Sequence, residues 1–143
     1  MSADENKALV RRVVEQFWNT GNERVLDDLF AANYVNHDPY NPAVTDLQSF
    51  KQWASVIHNA LPDEHVTIDD MFAEGDKVME RFTARGTHKG DFGGISPTGK
   101  PLVNTGIIVY RIANGKVAEC WWSYNMLGIL QQLGVIPPLP GGS

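Results

Sequence analysis

The chain of 143 residues has a single cysteine, Cys120, and this scarcity excludes an internal disulfide and a thiolate metal site. No apolar run approaches the roughly 18 residues that a membrane-spanning helix needs, so a membrane is not an expected partner. Basic residues (12) are fewer than acidic ones (17), and the formal net charge of -5 argues against a nucleic-acid partner. The first residues lack the basic-then-apolar order of a signal peptide, so we expect a cytoplasmic location.

The residues that are present have the proportions of a globular protein. Hydrophobic residues make up 43% of the chain and charged residues 20%. A chain of this length usually forms one domain and buries roughly two thirds of its unfolded surface. We therefore expect a single domain over residues 1–143, in which 137–143 form an extended tail.

Apolar residues in the first part of the chain recur with a helical period. The pattern predicts a first helix over residues 4–20, which ends at Gly21. Asn22 is suited to cap a second, shorter helix. The inward residues of that second helix are Val25, Leu26, Leu29 and Phe30. The following segment, YVNHDP over residues 34–39, breaks the pattern and predicts an irregular connection.

A third helix is indicated between two clear boundary signals. Thr45 and Gln48 form a capping-box pattern at its start, and Pro62 ends it. The apolar stripe of this helix consists of Phe50, Trp53, Ile57 and Leu61.

From His65 onward the period of the apolar residues changes toward two, which predicts β-strands. Four segments have this pattern: 65–72, 77–88, 102–112 and 116–125. Gly75-Asp76 and Asn114-Gly115 are signals for tight turns. The connection over 89–100 is long and rich in glycine, and such loops often carry function.

Three helices followed by a run of antiparallel strands predict an α+β fold. A sheet of four or more strands can curl around the helices and leave a pocket between them. The third predicted strand is apolar on both faces, because Ile107, Ile108 and Val109 are consecutive. One face would line the interior, and no helix remains to cover the other. We therefore expect a homodimer that forms through the sheet.

Residues 115–134 indicate where a ligand would bind. The segment combines a hairpin turn, a strand rich in aromatic residues, Asn125 at the end of that strand, and a short amphipathic helix. A strand that ends at a mouth sealed by a helix is a natural ligand site. The neutral amide of Asn125 can only form hydrogen bonds. It either holds a carbonyl or enolate oxygen of a substrate or caps the helix that follows.

Four motifs occur in order along the chain. They are YVNHDP at 34–39, ARGTHKG at 84–90, PTGK at 97–100, and the long motif at 115–134. Together they resemble the SnoaL-like polyketide cyclase family, also called the ester cyclase family, within the NTF2-like superfamily. The resemblance covers nearly the whole chain.

The resemblance implies a cone-shaped α+β barrel, with three N-terminal helices packed in a curved, mostly antiparallel sheet and a short C-terminal helix. It also implies an enclosed apolar cavity, a dimer and no cofactor. Characterised members close a ring of an aromatic polyketide by intramolecular aldol addition, and one aspartate acts as the acid/base. That aspartate normally lies at the position of Asn125, and the family often has a histidine in place of Cys120 and an acidic or small residue in place of Trp122. A subset of the family is linked to hydroxylation of anthracycline-type polyketides.

The candidates for catalysis are Asn125, His37, Glu119 and His88. The two histidines can transfer a proton near neutral pH, or they bind loop backbone. Glu119 shares a strand face with Asn125, so it can replace the missing acid if that face lines the cavity; otherwise it forms a surface ion pair. Glu80 has the same two interpretations, because it alternates with apolar neighbours. No third ligand accompanies the histidines at a recognisable spacing, so we expect no metal.

A further group of residues is expected to bind the substrate. The group comprises the aromatic residues Trp18, Tyr34, Trp53, Phe92, Trp121 and Tyr124, together with Asn104. The aromatic residues form either a stacking wall for a flat ring or ordinary core. Asn104 is either a hydrogen-bonding group in the pocket or a solvent-facing strand residue.

Three functions remain open from the sequence. The first is a cofactor-free enzyme that performs acid/base chemistry on a polyketide-like or other apolar carbonyl compound. In that case His37 or Glu119 transfers the proton and Asn125 holds the oxygen. The second is a non-catalytic protein that binds a small apolar or aromatic ligand. The third is an interaction module whose main product is the dimer.

Overall fold

The computed structural model describes residues 2–140, and these residues form four α-helices and a sheet of five strands. The helices are α1 (Ala3–Arg12), α2 (Leu26–Leu29), α3 (Leu47–Ala60) and α4 (Met126–Gln132). The strands are β1 (Phe30–His37), β2 (His65–Glu74), β3 (Lys77–Thr87), β4 (Pro101–Ala113) and β5 (Lys116–Tyr124). Residues 137–140 form neither helix nor strand, and 141–143 lie outside the described residues. The described helices include none that is both long and apolar enough to cross a membrane.

The first predicted helix is present, although its second half is wound more loosely. Ser2 caps α1, and Glu5 returns the hydrogen bond to complete a capping box. The helix continues as a π-helical segment over Val13–Trp18, which buries Phe17 and Trp18. A 3₁₀ turn, Glu23–Val25, capped by Asn22 as predicted, leads into α2.

The irregular connection predicted over 34–39 is wrong, because most of it belongs to β1. This strand pairs in parallel with β5, and His37 lies opposite Trp121. Phe30, predicted as an inward residue of the second helix, begins the strand instead. The period-two signal is hidden because a polar residue, Asn36, occupies a buried inward position. The strand also has an irregularity in register between Phe30 and Val35.

The start of α3 differs by one residue from the predicted capping box of Thr45 and Gln48. The N-cap is Asp46, whose carboxylate accepts a hydrogen bond from the backbone of Ser49 at 2.9 Å. The Ser49 hydroxyl in turn accepts from the Asp46 backbone N–H at 3.1 Å. Aspartate is a better N-cap than threonine, which explains the shift.

The strands are arranged in the order β1-β5-β4-β3-β2, and all neighbouring pairs except β1 and β5 are antiparallel. At the turn between β4 and β5, Asn114 and Gly115 both have positive φ (53° and 74°), which a type I′ turn requires. The predicted α+β fold, with a mostly antiparallel sheet and a short C-terminal helix, is confirmed.

The main core lies between the inner face of the sheet and the helices. Val78, Phe82 and Tyr110 on the sheet are buried with Val10 and Phe17 from the N-terminal helix. The outer face of the sheet is more exposed, since Phe72 is 62% and Ile107 42% exposed. The core does not fill the space between the two layers completely, and the remaining space forms the site described next.

Candidate functional site

A cavity of about 440 Å³ lies between the inner face of the sheet, the N-terminal helix, α3 and α4. Its walls are mainly apolar and include Trp53, Phe82, Ile108, Trp122 and Ile129. Apolar walls arise here because alternate residues of β3, β4 and β5 face inward and the helices cover them. A volume of this size is typical of pockets that hold small organic ligands.

Three tryptophans form one wall of the cavity. The ring of Trp122 lies 6.2 Å from that of Trp18 and 5.9 Å from that of Trp53, and both pairs meet edge to face. Asn36 fixes this wall, because its Oδ1 accepts hydrogen bonds from Trp122 Nε1 (2.8 Å) and from the Tyr34 hydroxyl (2.6 Å). Tyr34 therefore lies behind the wall in the core and does not line the cavity.

Tyr124 lines the cavity at the end of β5, and its hydroxyl is held by two polar residues. The hydroxyl donates to Asp38 Oδ2 (2.9 Å) and accepts from Asn41 Nδ2 (3.1 Å). Burial, together with the nearby carboxylate of Asp38, raises the pKa of Tyr124 above its usual value. Tyr124 therefore remains a neutral phenol with its proton committed to Asp38.

Asn104 is a polar residue of β4 that lines the cavity, on the inner face opposite Ala84. Its Oδ1 is buried and makes no hydrogen bond with any residue in the described range 2–140. A buried amide oxygen without a donor is costly, and a ligand O–H or N–H group that donates to it would remove that cost. Asn104 is thus positioned to hydrogen-bond a ligand.

The glycine-rich loop and α4 both contribute residues to the cavity wall. The loop is fixed to the end of α3, where the N–H groups of Lys89 and Gly90 donate to the carbonyl of Ala60. A Cβ at Gly90 would lie 2.2 Å from the Asn59 carbonyl oxygen, so only glycine fits. This contact brings Phe92 of the loop to the cavity wall.

The position of α4 follows from a pair of hydrogen bonds made by Gln132. Its side-chain amide donates to the carbonyl of Val103 and accepts from the N–H of the same residue, both at 2.8 Å. Gln132 therefore takes the place of a neighbouring strand where β5 has ended. The helix then places Met126, Ile129 and Leu130 on the cavity.

Two carboxyl groups also line the cavity, those of Glu80 and Glu64. Glu80 is 1% exposed, and burial raises its pKa to about 7 despite a hydrogen bond from the Tyr110 hydroxyl (3.0 Å). Glu64, directly before β2, is partly exposed, and burial together with Asp63 raises its pKa to about 7. The alternation of Glu80 with Val78 and Phe82 was the signal for its inward position, whereas nothing in the sequence singles out Glu64.

Glu119 and His37 lie on the face of the sheet that points away from the cavity. His37 Nε2 is 2.6 Å from Glu119 Oε2, and Arg111 Nε donates to the other carboxylate oxygen at 3.0 Å. The hydrogen bond with His37, followed by that with Arg111, lowers the pKa of Glu119. β5 turns Trp122 and Tyr124 inward instead, so the condition under which Glu119 would replace the missing acid is not met.

Trp121 shares this outer face, and its ring stacks on the ring of His37 at 5.3 Å. Both residues border a separate surface pocket between β1 and the loop that follows it. Trp121 therefore does not belong to the wall of the main cavity, unlike its neighbour Trp122.

His88 is fully buried and connects the two ends of the glycine-rich loop. The backbone N–H of Thr98 donates to the His88 ring nitrogen Nδ1 at 3.2 Å, and the backbone N–H of His88 donates to the Lys100 carbonyl. In a neutral ring the proton is therefore on Nε2, which has no hydrogen-bond partner within residues 2–140. His88 does not line the cavity, and the structure places it as a bridge within the loop.

Asn125 caps α4, as one of its two interpretations predicts. Its Oδ1 accepts from the Gly128 N–H at 3.0 Å, and the side chain is exposed. It does not line the cavity, although its neighbours Tyr124 and Met126 do. Of the residues expected to bind a substrate, the structure brings together Trp18, Trp53, Phe92, Asn104 and Tyr124.

No three histidine, cysteine, aspartate or glutamate side chains among residues 2–140 lie close enough together to hold a metal ion. The cavity thus contains a tryptophan wall, one unpartnered amide and two carboxyl groups with raised pKa values. This combination can bind a flat apolar molecule and exchange protons with it.

Known proteins share this architecture. The chain is 29% identical to the aklanonic acid methyl ester cyclase DnrD of Streptomyces peucetius over 139 residues, which covers 94% of each protein. The structure of AclR from Streptomyces galilaeus, a proposed hydroxylase, matches 98% of this chain and 87% of AclR with a TM-score of 0.87 and 28% identity. That of IdmH from Streptomyces antibioticus, a proposed polyketide cyclase, matches 90% of this chain and 98% of IdmH with a TM-score of 0.77 and 30% identity.

These structures share the predicted NTF2-like fold, in which helices pack in a curved sheet. The family model for SnoaL-like polyketide cyclases matches residues 8–133, which include all five strands and every residue of the cavity wall. The chain belongs to the SnoaL-like polyketide cyclase family.

Proposed function

We propose that the protein binds a polyketide-like carbonyl compound in the cavity and catalyses ring closure on it by acid/base chemistry without a cofactor. The observation that carries this proposal is the apolar cavity of about 440 Å³ that contains titratable carboxyl groups. The family and the activity of DnrD support the substrate class. The protein would act in the cytoplasm.

The cavity suits a flat molecule with several fused or linked rings. The edge-to-face arrangement of Trp18, Trp53 and Trp122 leaves ring surfaces that can pack against aromatic carbon. The amide of Asn104 can donate to a carbonyl oxygen or accept from a hydroxyl group of the ligand. The few polar groups in an apolar pocket fix the orientation of a ligand, and Asn104 is one of them.

The proposed reaction is an intramolecular aldol addition. A base in the cavity removes a proton from the carbon next to one carbonyl, and the electron pair forms an enolate. The enolate carbon attacks a second carbonyl carbon of the same molecule, and the resulting alkoxide takes a proton back. The proton is returned and no electrons are gained or lost, so the product is an isomer of the substrate.

The first test uses aklanonic acid methyl ester as the probe, with chromatography and mass spectrometry as the readout. We expect a product of unchanged mass. Trp53→Phe should raise KM about two- to tenfold, because it removes part of the aromatic wall. The matched control is Trp121→Phe on the opposite face, which should leave KM unchanged.

The same probe separates catalysis from binding alone. Quenching of tryptophan fluorescence by the ester without any product would support a non-catalytic ligand-binding protein, the second function that the sequence allows. If the ester causes no quenching and yields no product, both functions are contradicted for this ligand class.

We also propose a homodimer that forms through the outer face of the sheet. A row of side chains crosses all five strands on this face: Phe72, Met79, Val109, Trp121 and His37, each opposite the next. Four of these five residues are apolar, and Phe72 is 62% exposed. A second copy would remove this apolar surface from water.

A further inference from the structure

Glu80 is an isolated carboxyl group in the middle of an apolar surface. It lies on the inner face of β3 between Val78 and Phe82 and opposite Ile108 of β4. Its side chain lines the cavity, yet the residue is 1% exposed. No lysine, arginine or histidine in residues 2–140 forms an ion pair with it.

One oxygen of this carboxyl group is held and the other is free. The hydroxyl of Tyr110, on β4, donates to Oε1 at 3.0 Å. Oε2 makes no hydrogen bond to the described part of the chain, so it remains available to a ligand. The Tyr110 ring is itself almost completely buried, which fixes the direction of its hydroxyl group.

The surroundings keep this group near its point of titration at neutral pH. Burial raises the pKa of Glu80 to about 7, and the hydrogen bond from Tyr110 acts in the opposite direction. The other titratable group near it is the thiol of Cys120 on β5, whose pKa burial raises above its usual value. Glu80 therefore exists in both forms at pH 7, as an acid/base catalyst requires.

The other polar groups of the cavity are less suited to this role. Glu64 also lines the cavity, but it lies directly before β2 and is partly exposed. The Tyr124 proton is committed to Asp38, and Asn104 cannot titrate. Glu80 is the carboxyl group that is both enclosed and open to a bound ligand.

We propose that Glu80 is the catalytic acid/base of this cavity and that Tyr110 is its positioning residue; the proposal deepens the proposed function and rests on it. The Glu80 carboxylate takes the proton from the carbon next to the substrate carbonyl, and the C–H electron pair forms the enolate. After the new carbon–carbon bond has formed, the protonated carboxyl returns its proton to the alkoxide oxygen.

The arrangement also restricts the substrate. Asn104 lies opposite Ala84, four residues along β3 from Glu80, which is about 13 Å along the strand. One molecule can reach both groups only if it has an oxygen at one end and an acidic C–H group at the other. The substrate is therefore an extended or fused-ring molecule rather than a single-ring ketone.

The experiment uses two probes so that the chemistry of Glu80 is measured apart from the natural reaction. The first probe is nitrobenzisoxazole, from which a base removes the ring C–H proton. The electron pair forms the nitrile, the N–O bond breaks, and the coloured phenolate is released. The second probe is aklanonic acid methyl ester. Glu80→Gln should lower turnover of both probes by about 100-fold or more. The matched control, Glu74→Gln at the exposed end of β2, should leave both rates unchanged.

The pH dependence tests the position of Tyr110. For the wild type, the rate with nitrobenzisoxazole should rise with pH through a midpoint near 7, since the carboxylate is the active form. Tyr110→Phe removes a hydrogen bond that stabilises the carboxylate, so the midpoint should move to higher pH. A purely structural role for Tyr110 would lower the rate without moving the midpoint.

The outcomes separate the two proposals. If nitrobenzisoxazole turnover depends on Glu80 but the ester is not converted, Glu80 is a base and the proposed function is wrong. If the ester is converted equally by wild type and Glu80→Gln, the proposed function holds and the Glu80 proposal is overturned. The Glu80 proposal is also overturned if a folded wild type converts neither probe. A pH–rate midpoint near the ordinary glutamate pKa would overturn it as well.

Discussion

The buried carboxyl group of Glu80 makes a prediction about stability that needs no substrate. Its pKa rises from 4.5 to about 7 on folding. A group with a raised pKa in the folded state destabilises the fold when it must ionise, so the free energy of unfolding falls as the pH rises from about 4.5 to 7. The difference corresponds to about 3 kcal/mol, because each pKa unit is worth about 1.4 kcal/mol.

The perturbation is Glu80→Gln, which keeps the shape of the side chain but cannot ionise. Its amide oxygen can still accept the Tyr110 hydrogen bond. As the pH rises from 4.5 to 8, the free energy of unfolding of the variant should therefore increase by about 3 kcal/mol relative to that of the wild type. This corresponds to roughly 6–12 °C in Tm. Other groups, including Glu64, are common to both proteins and cancel in the difference.

The assay is urea denaturation of both proteins at a series of pH values, followed by tryptophan fluorescence. Glu74→Gln, at an exposed position, provides the control. Its free energy of unfolding plotted against pH should run parallel to that of the wild type. Parallel curves for Glu80→Gln and wild type at every pH would refute the reasoning. They would mean that Glu80 ionises in the fold as easily as in water.

Three further predictions follow from other contacts. Asn36→Ala leaves the Trp122 N–H and the Tyr34 hydroxyl without their acceptor, so the free energy of unfolding should fall by about 3 kcal/mol. Urea denaturation measures this loss, and an unchanged midpoint would contradict it. Gly90→Ala places a Cβ 2.2 Å from a backbone carbonyl of α3, so it should lower Tm and weaken ester binding, and an unchanged Tm would contradict this clash. Phe72→Asp should convert a dimer into a monomer in sedimentation velocity, and a dimer that survives this change would show that the sheet face is not the interface.

Most of the architecture could be predicted from the sequence, because it depends on local patterns. The stripe from Phe50 to Leu61 indicated α3, and Asn114-Gly115 indicated the hairpin between β4 and β5. β1 could not be predicted, because its partner strand is about eighty residues away and Asn36 interrupts its apolar alternation. Parallel pairing leaves no turn signal in the sequence.

The candidate site was harder to predict than the fold, because strand faces are equivalent until the sheet packs. β5 carries Trp121 on one face and Trp122 on the other, and either face could have lined a cavity. The helices decide between them, and that choice moves Glu119 to the outside. Glu80 follows the same rule on β3, where its apolar neighbours were the available signal.

The parallel pairing of β1 with β5 has a consequence for biosynthesis. Residues 30–37 leave the ribosome about eighty residues before their hydrogen-bond partners at 117–121. Until then β1 has an unpaired edge, and pairings between distant segments form slowly. Nascent chains that still lack residues 117–121 therefore expose an aggregation-prone edge, and the tryptophan wall closes only after Trp122 has been made.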